Sequence, residues 1–253
     1  MSVREVQTNR VEEWDRYHDQ RIQLACAFRW AARLDLHEAV ANHFSLSVNN
    51  DGTLFLINPV GRHFSRIRAS DLLLVDATDA RTLERKNAPD PTAWGLHGAL
   101  HRNCPTARCA LHVHPRYATV LATLADSTML PIDQNCARFF NRVAMDTDYG
   151  GMALEDEADR CTRLLQDRRV LLMGNHGVMT TGPTVAAAFD ELFYFERAAR
   201  TLVTAYTTGQ PLRVLPDDVA EKTARQWEEF PGADNHFREL MAILDKEEPD
   251  YRQ

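Results

Sequence analysis

The chain opens with apolar residues near helical spacing. Val11, Trp14, Ile22, Ala25, Phe28, Ala32 and Leu36 predict one long helix over Val11–Leu36, with Arg21, Arg29 and Arg33 on its wetter side. From Asn42 to Val48 the pattern changes to alternation of polar and apolar residues. Asn49-Asn50-Asp51-Gly52 supplies positions that tolerate positive φ, and Thr53–Ile57 is apolar again, so the two runs predict a β-hairpin closed by Asn58-Pro59-Val60-Gly61. Leu72–Asp76 reads as a buried strand followed by the polar loop Ala77–Asp90. Pro91-Thr92 starts a helix running to about Asn103, with Thr92 as its N-cap and Trp94, Leu96 and Leu100 as its apolar members. Arg108–His114 is a strand and Pro115–Leu124 a helix. Met129–Arg142 has no clean period and reads as a loop with at most a short strand, and Asp146–Met152 reads as another loop.

In the second half, Glu155–Gln166 is a surface helix of alternating charge. Arg169–Met173 and Val178–Thr181 are strands on either side of Asn175-His176-Gly177. Pro183 opens a long helix to about Thr208 that carries Val185, Phe189, Leu192, Phe193, Phe195, Ala199 and Leu202. Helices near Asp217–Glu229 and Ala233–Asp245 precede a charged tail, Glu247–Gln253. With no internal repeat and no Gly/Ser linker, this order implies an α/β fold of one sheet flanked by helices. A single domain over 1–253 is expected, with a core of about 11–208 and a C-terminal helical extension over 209–253.

Composition narrows the function. A chain of 253 residues, 44% of them hydrophobic, is enough for one large core. Its net charge of -7 and lack of a basic patch argue against nucleic acid or an anionic membrane as partner. No apolar run approaches the roughly 20 residues of a membrane span, and the charged N-terminus does not read as a signal peptide, so a cytoplasmic location is expected. The five cysteines are odd in number and have no CxxC spacing, which predicts free thiols.

The candidate chemistry lies in Leu111–Leu124. His112 and His114 are two apart on a strand, so they project from the same face of its end. Such a pair is either half of a metal site or one packed and one solvated histidine. His176, at the end of a second strand, supplies a third imidazole. Three histidines on two strand ends are what catalytic zinc requires, with one coordination position left open. His97 and His101, four apart on the preceding helix, are either a second metal pair or a buried polar edge.

These residues together resemble the class II aldolase/adducin family. Asn42…Ser45, Pro59-Val60-Gly61, the helix entered through Thr92-Ala93-Trp94 with His97, His112-Val113-His114-Pro115 and Asn175-His176-Gly177 occur in the family's order over roughly Val11–Leu202. The resemblance implies a three-layer α/β/α fold around a mostly antiparallel sheet, assembled as a homotetramer with active sites at subunit boundaries. It implies Zn2+ bound by His112, His114 and His176, as in the family's sugar-phosphate aldolases. The sequence also departs from those enzymes. Ala93 stands where they carry the acid/base glutamate. Asn42, Gly61 and Thr92 match phosphate-holding positions, but Val60 and Pro91 replace hydroxyl residues, and Pro131-Ile132-Asp133-Gln134 occupies the region of the proton-donating tyrosine.

The resulting expectation is a metal-dependent lyase, aldolase or decarboxylase in type, acting on a small carboxylate. Decarboxylation is attractive because loss of carbon dioxide creates a carbanion without a base. Asp133 or His97 would supply the proton, and Asn42, Gly61, Thr92 and Gln134 would bind substrate. The Ala93 methyl should leave a gap beside the metal for a substrate carboxylate, favoured by the helix N-terminus. The alternatives are an adducin-like binding module and a scaffold with relic histidines. Trp14, Phe28, Trp30, Phe139 and Phe140 are candidates for an oligomer interface, or equally for the core.

Overall fold

The expected hairpin forms, as β1 (His43–Ser47) and β2 (Leu54–Ile57) pair antiparallel with Ser45 opposite Ile57. It belongs to a computed structural model that describes residues 16–150, 157–230 and 232–253. The start of the first expected helix, with Trp14, lies outside the described residues, as do the end of the Asp146–Met152 loop and the first residues of the helix expected from Glu155.

Strands β3 (Leu73–Asp76), β4 (Cys109–Val113), β5 (Val143–Asp146), β6 (Val170–Met173) and β7 (Gly177–Gly182) extend the hairpin into a sheet of order β3-β2-β1-β4-β7-β6-β5. Every neighbouring pair is antiparallel except β5 and β6. Because side chains alternate along each strand, the sheet has two packed faces. Phe44, Leu111, Val113, Leu172 and Val178 join the larger core. It is filled by α1 (His18–Arg33), α3 (Arg116–Ala122) and α6 (Val185–Thr207), through residues such as Phe28, Leu121, Phe189 and Phe195. On the opposite face Ala110, Leu171, Met173 and Met179 meet Leu96 and Leu100 of α2 (Pro91–Asn103) and Cys161 and Leu165 of α5 (Glu157–Leu165). Helix on sheet on helix makes the three layers. Among the described residues no helix is long and apolar enough to cross a membrane.

Four expectations need correction. Arg21 and Arg29 are buried rather than on a wet face. The C-terminal segment folds over α1, where Arg29 bonds Glu248 at 3.0 Å, Asp250 at 2.9 Å and the Ile67 carbonyl at 2.8 Å. Such pairing is what a buried guanidinium requires. The N-cap of α2 is Asp90, which accepts from Thr92 N at 2.9 Å and Ala93 N at 3.3 Å, so Pro91 takes the first helical position and Thr92 follows it. The aperiodic stretch before Arg142 contains α4 (Gln134–Arg138), a single turn too short for periodicity to reveal. Phe28 and Phe139 are buried within the chain and the Trp30 indole donates to the Leu240 carbonyl at 2.9 Å, so these aromatics serve the chain's own packing. Leu240 lies on α8 (Ala233–Glu247), which packs on α6 after α7 (Asp217–Glu229).

Candidate metal centre

His112 lies between Leu111 and Val113 on β4, so its ring points to the α2 face. His114 follows one residue past the end of that strand. The β6–β7 turn, in which Asn175 adopts a left-handed φ of 56°, brings His176 beside them because β7 pairs directly with β4. One ring nitrogen from each of the three histidines lies within 4.8 Å of the others, and His112 Nε2 is 3.1 Å from His114 Nε2. Two imidazole nitrogens on one tetrahedral zinc, each at about 2.0–2.1 Å, lie about 3.3 Å apart, so His112 and His114 already have the spacing of two ligands of one ion, and the third ring would close in slightly to share it. A carboxylate stands behind one ring, with Glu38 Oε2 2.6 Å from His114 Nδ1, while Glu157 Oε1 is 3.7 Å from His176 Nδ1, near it but beyond hydrogen-bond reach. A carboxylate on Nδ1 places the ring proton there and leaves Nε2 bare for a metal. Glu38→Gln is therefore expected to weaken zinc binding about tenfold, at the low end for such partners because Glu38 is exposed. Competition against a zinc-chelating dye would check this.

The approach of the turn to β4 depends on Gly177. A Cβ there would sit 2.6 Å from both His114 Cδ2 and the Val113 carbonyl oxygen. Gly177→Ala should push His114 out of line and lower zinc affinity at least tenfold, measured by the same competition, while circular dichroism stays unchanged.

The histidines open on a cavity of about 350 Å³. Its walls hold buried polar atoms without protein partners. Of eight such side-chain atoms among the described residues, four surround the site: Asn42 Nδ2, His112 Nδ1, His176 Nδ1 and Glu157 Oε2. Unsatisfied groups gathered in one place indicate a ligand site. A larger cavity of about 540 Å³, bounded by Arg138, Tyr194, Trp227 and His236, is remote from this cluster. There Arg138 is already bound by Asp190 at 2.9 Å and Glu191 at 3.2 Å.

Burial favours the neutral forms of His112 and His114. It drives His112 well below its usual value, with the neighbouring histidines adding to the effect, and lowers His114 despite the opposing hydrogen bond that its Nδ1 donates to Glu38. Burial alone would raise the Asp90 carboxyl, yet the hydrogen bonds from Thr92 and Ala93 hold it below the usual range. The N-terminus of α2 is thus already occupied by a carboxylate, because the Thr92 hydroxyl donates to Asp90 at 2.5 Å and the first free amides follow it. It does not favour a second anion, contrary to expectation.

The structure also redistributes the expected site residues. Asn42 and Thr92 line the cavity, whereas Gly61 is not among its walls. His97 is fully buried and lies behind His43, 2.7 Å from its Nδ1. Asp133 caps α4, accepting from Cys136 N at 2.7 Å, and the Gln134 carbonyl accepts from the Trp227 indole at 3.3 Å, so this chain places neither at the histidines. Ala93 packs in an apolar cluster with Phe55, Ile57, Val75 and Ala77, and opens no gap at the cavity. Sequence reasoning missed Glu38, His43, Asp90 and Glu157. His43 and Ser45 were findable, since a period of two puts them on one face of the strand.

Comparison with known proteins agrees with the geometry. An aldolase II superfamily protein from Pseudomonas syringae superposes with a TM-score of 0.85 at 30% identity, covering 94% of this chain and 97% of that one. L-fuculose 1-phosphate aldolase from Glaciozyma antarctica PI12 shares the fold, with a TM-score of 0.78 at 20% identity over 94% of this chain and 93% of its own. The protein named decarboxylase NovR from Streptomyces niveus is 27% identical over 219 residues, 84% of this chain and 80% of its own. Residues 22–203 match the family described as Class II Aldolase and Adducin N-terminal domain, and the chain belongs to that family.

Proposed function

We propose that the protein is a metal-dependent carbon–carbon lyase of decarboxylase type that acts on a small carboxylic acid. The observation that carries this reading is the convergence of His112, His114 and His176 on a cavity to which the helical residues of α2 contribute Thr92 and Leu96, neither of them a carboxylate. A divalent ion held by these rings, with zinc the best match to three neutral imidazoles, would supply Lewis-acid polarisation of the substrate's oxygens. The residues of the chain would do the rest. Glu38 orients His114 through its Nδ1, and Glu157 adds negative charge near His176. Asn42 Nδ2, buried and without a partner, donates to a substrate oxygen. Asp90 and Glu157 place negative charge at the cavity wall, which opposes a dianionic phosphate more than a monoanionic carboxylate. Breaking a carbon–carboxylate bond beside a carbonyl leaves the electron pair in the substrate as an enolate, needs no base, and is completed by a proton taken from solvent, which suits a site without the family glutamate. The relative named decarboxylase NovR favours this chemistry.

The test is to load the protein with zinc and assay a panel of small hydroxy and oxo acids for carbon dioxide release, with L-fuculose 1-phosphate as the aldolase control. Metal-dependent release from an acid, abolished by chelation, is the expected result. Cleavage of the sugar phosphate at rates typical of enzymes would overturn the decarboxylase reading. The working form is proposed to be a homotetramer. Val40 and Val60 at the cavity mouth are 43% and 57% exposed, apolar surface that a neighbouring subunit would cover. Light scattering at micromolar concentration should return four chain masses, and one chain mass would exclude it.

A further inference from the structure

Behind the metal centre runs a hydrogen-bonded row of buried side chains whose direction can be read. His101 Nδ1 lies 2.8 Å from the Ala107 carbonyl oxygen, which can only accept, so the ring carries its proton on Nδ1. Burial lowers His101 to about 4, so the ring is neutral and its Nε2 is bare. Ser45 Oγ, 2.7 Å away, therefore donates its one proton to His101 Nε2. Toward its other partner, His97 Nδ1, the serine oxygen accepts, so His97 is protonated at Nδ1. His97 is held neutral by burial and has a bare Nε2, which accepts from His43 Nδ1 at 2.7 Å. His43 therefore turns its Nδ1 proton inward, toward His97, and leaves Nε2 as its outer ring nitrogen. It lines the cavity, and its ring lies 4.9 Å from that of His112.

We infer that His43 accepts, at Nε2, the hydrogen bond of a substrate hydroxyl, so that the site selects small 2-hydroxy acids over acids without a hydroxyl donor. A ring fixed as an acceptor rejects a partner that brings no proton, because its lone pair is then desolvated without compensation. Asn42, the neighbour of His43 in sequence, also lines the cavity, and its buried Nδ2 donor has no partner in the chain. A donor beside an acceptor matches a carboxylate oxygen beside a hydroxyl. His97, Ser45 and His101 do not line the cavity and are positioning residues that set the tautomer of His43. The inference rests on the proposed use of this cavity as the substrate site.

Two measurements on zinc-loaded protein test it. Long-range proton–nitrogen correlation spectra should show His43 protonated at Nδ1 and bare at Nε2, and the reverse tautomer overturns the inference. Calorimetry with glycolate and methoxyacetate, which differ in the hydroxyl proton, should show glycolate bound about tenfold tighter, the size of one hydrogen bond. His43→Phe should bring that ratio within about twofold. His43→Gln, whose carbonyl reaches the Nε2 position, should restore it. Ser45→Ala should lower the ratio and mix the His43 tautomers without altering the cavity wall. Equal binding of both acids to the wild type sinks the assignment of His43 and leaves the metal-lyase reading standing. Binding of neither acid overturns both. A preference that survives in His43→Phe shows that another group reads the hydroxyl.

Discussion

His112→Ala is expected to leave the protein without stoichiometric metal and to lower any metal-dependent turnover by on the order of a thousandfold. His112 is the most buried member of the trio, at 2% exposure, and is fixed by its place in the β4 ladder opposite His43 and Met179. Its loss leaves two ligands on separate segments, His114 past the strand end and His176 in a turn, with no rigid element between them. Losing a carboxylate behind a ligand costs ten- to a hundredfold in metal affinity, and losing the ligand itself costs more. His114→Ala and His176→Ala should behave alike. Elemental analysis after gel filtration reads the result directly, with circular dichroism to confirm that each variant is folded. Stoichiometric metal in all three variants would contradict the assignment.

The second large effect is on stability in acid. His43 and His101 are lowered to about 4, chiefly by burial, and His97 and His112 move in the same direction. In the unfolded chain these side chains titrate near 6.5. Between those values the unfolded state holds more protons than the native one, so unfolding free energy is full above about pH 6.5 and declines as pH falls toward 4. At about 1.36 kcal/mol per pH unit the two lowered rings lose roughly 3 to 5 kcal/mol together between pH 7 and 4.5, less than a strict sum because they share one network. That is a large part of a typical domain's stability. Urea unfolding of metal-free protein at the two pH values measures it. His101→Gln, which cannot titrate, should flatten the dependence, and equal stability of the wild type at both pH values would contradict it.

Much of this fold was legible because its periodic elements are long. The 23 residues of α6 and the alternation through β1 stand out in the sequence. The five residues of α4 do not, since one helical turn has no period to read. The burial of Arg29 was hidden for another reason, because its partners Glu248 and Asp250 are more than 200 positions away in a tail that reads as solvated. At the site, the spacing of His112 and His114 on one strand exposed the pair, and the Asn175–Gly177 turn supplied the third ring. The surrounding shell was less visible. Glu38 reaches His114 across 76 positions from a turn without pattern. The sequence pattern puts Ala93 beside the metal, whereas its methyl packs in a cluster with Phe55 and Val75. Asp90, one residue outside the expected helix, holds the N-terminus that Thr92 was expected to cap.

The central claim is that His112, His114 and His176 form one metal centre. Diffraction from zinc-loaded crystals, recorded on both sides of the zinc absorption edge, tests it most directly. One anomalous peak bonded at about 2.0–2.1 Å to a nitrogen of each of the three rings is the predicted result. Zinc found elsewhere, with none of the three rings bonded to it, would contradict it.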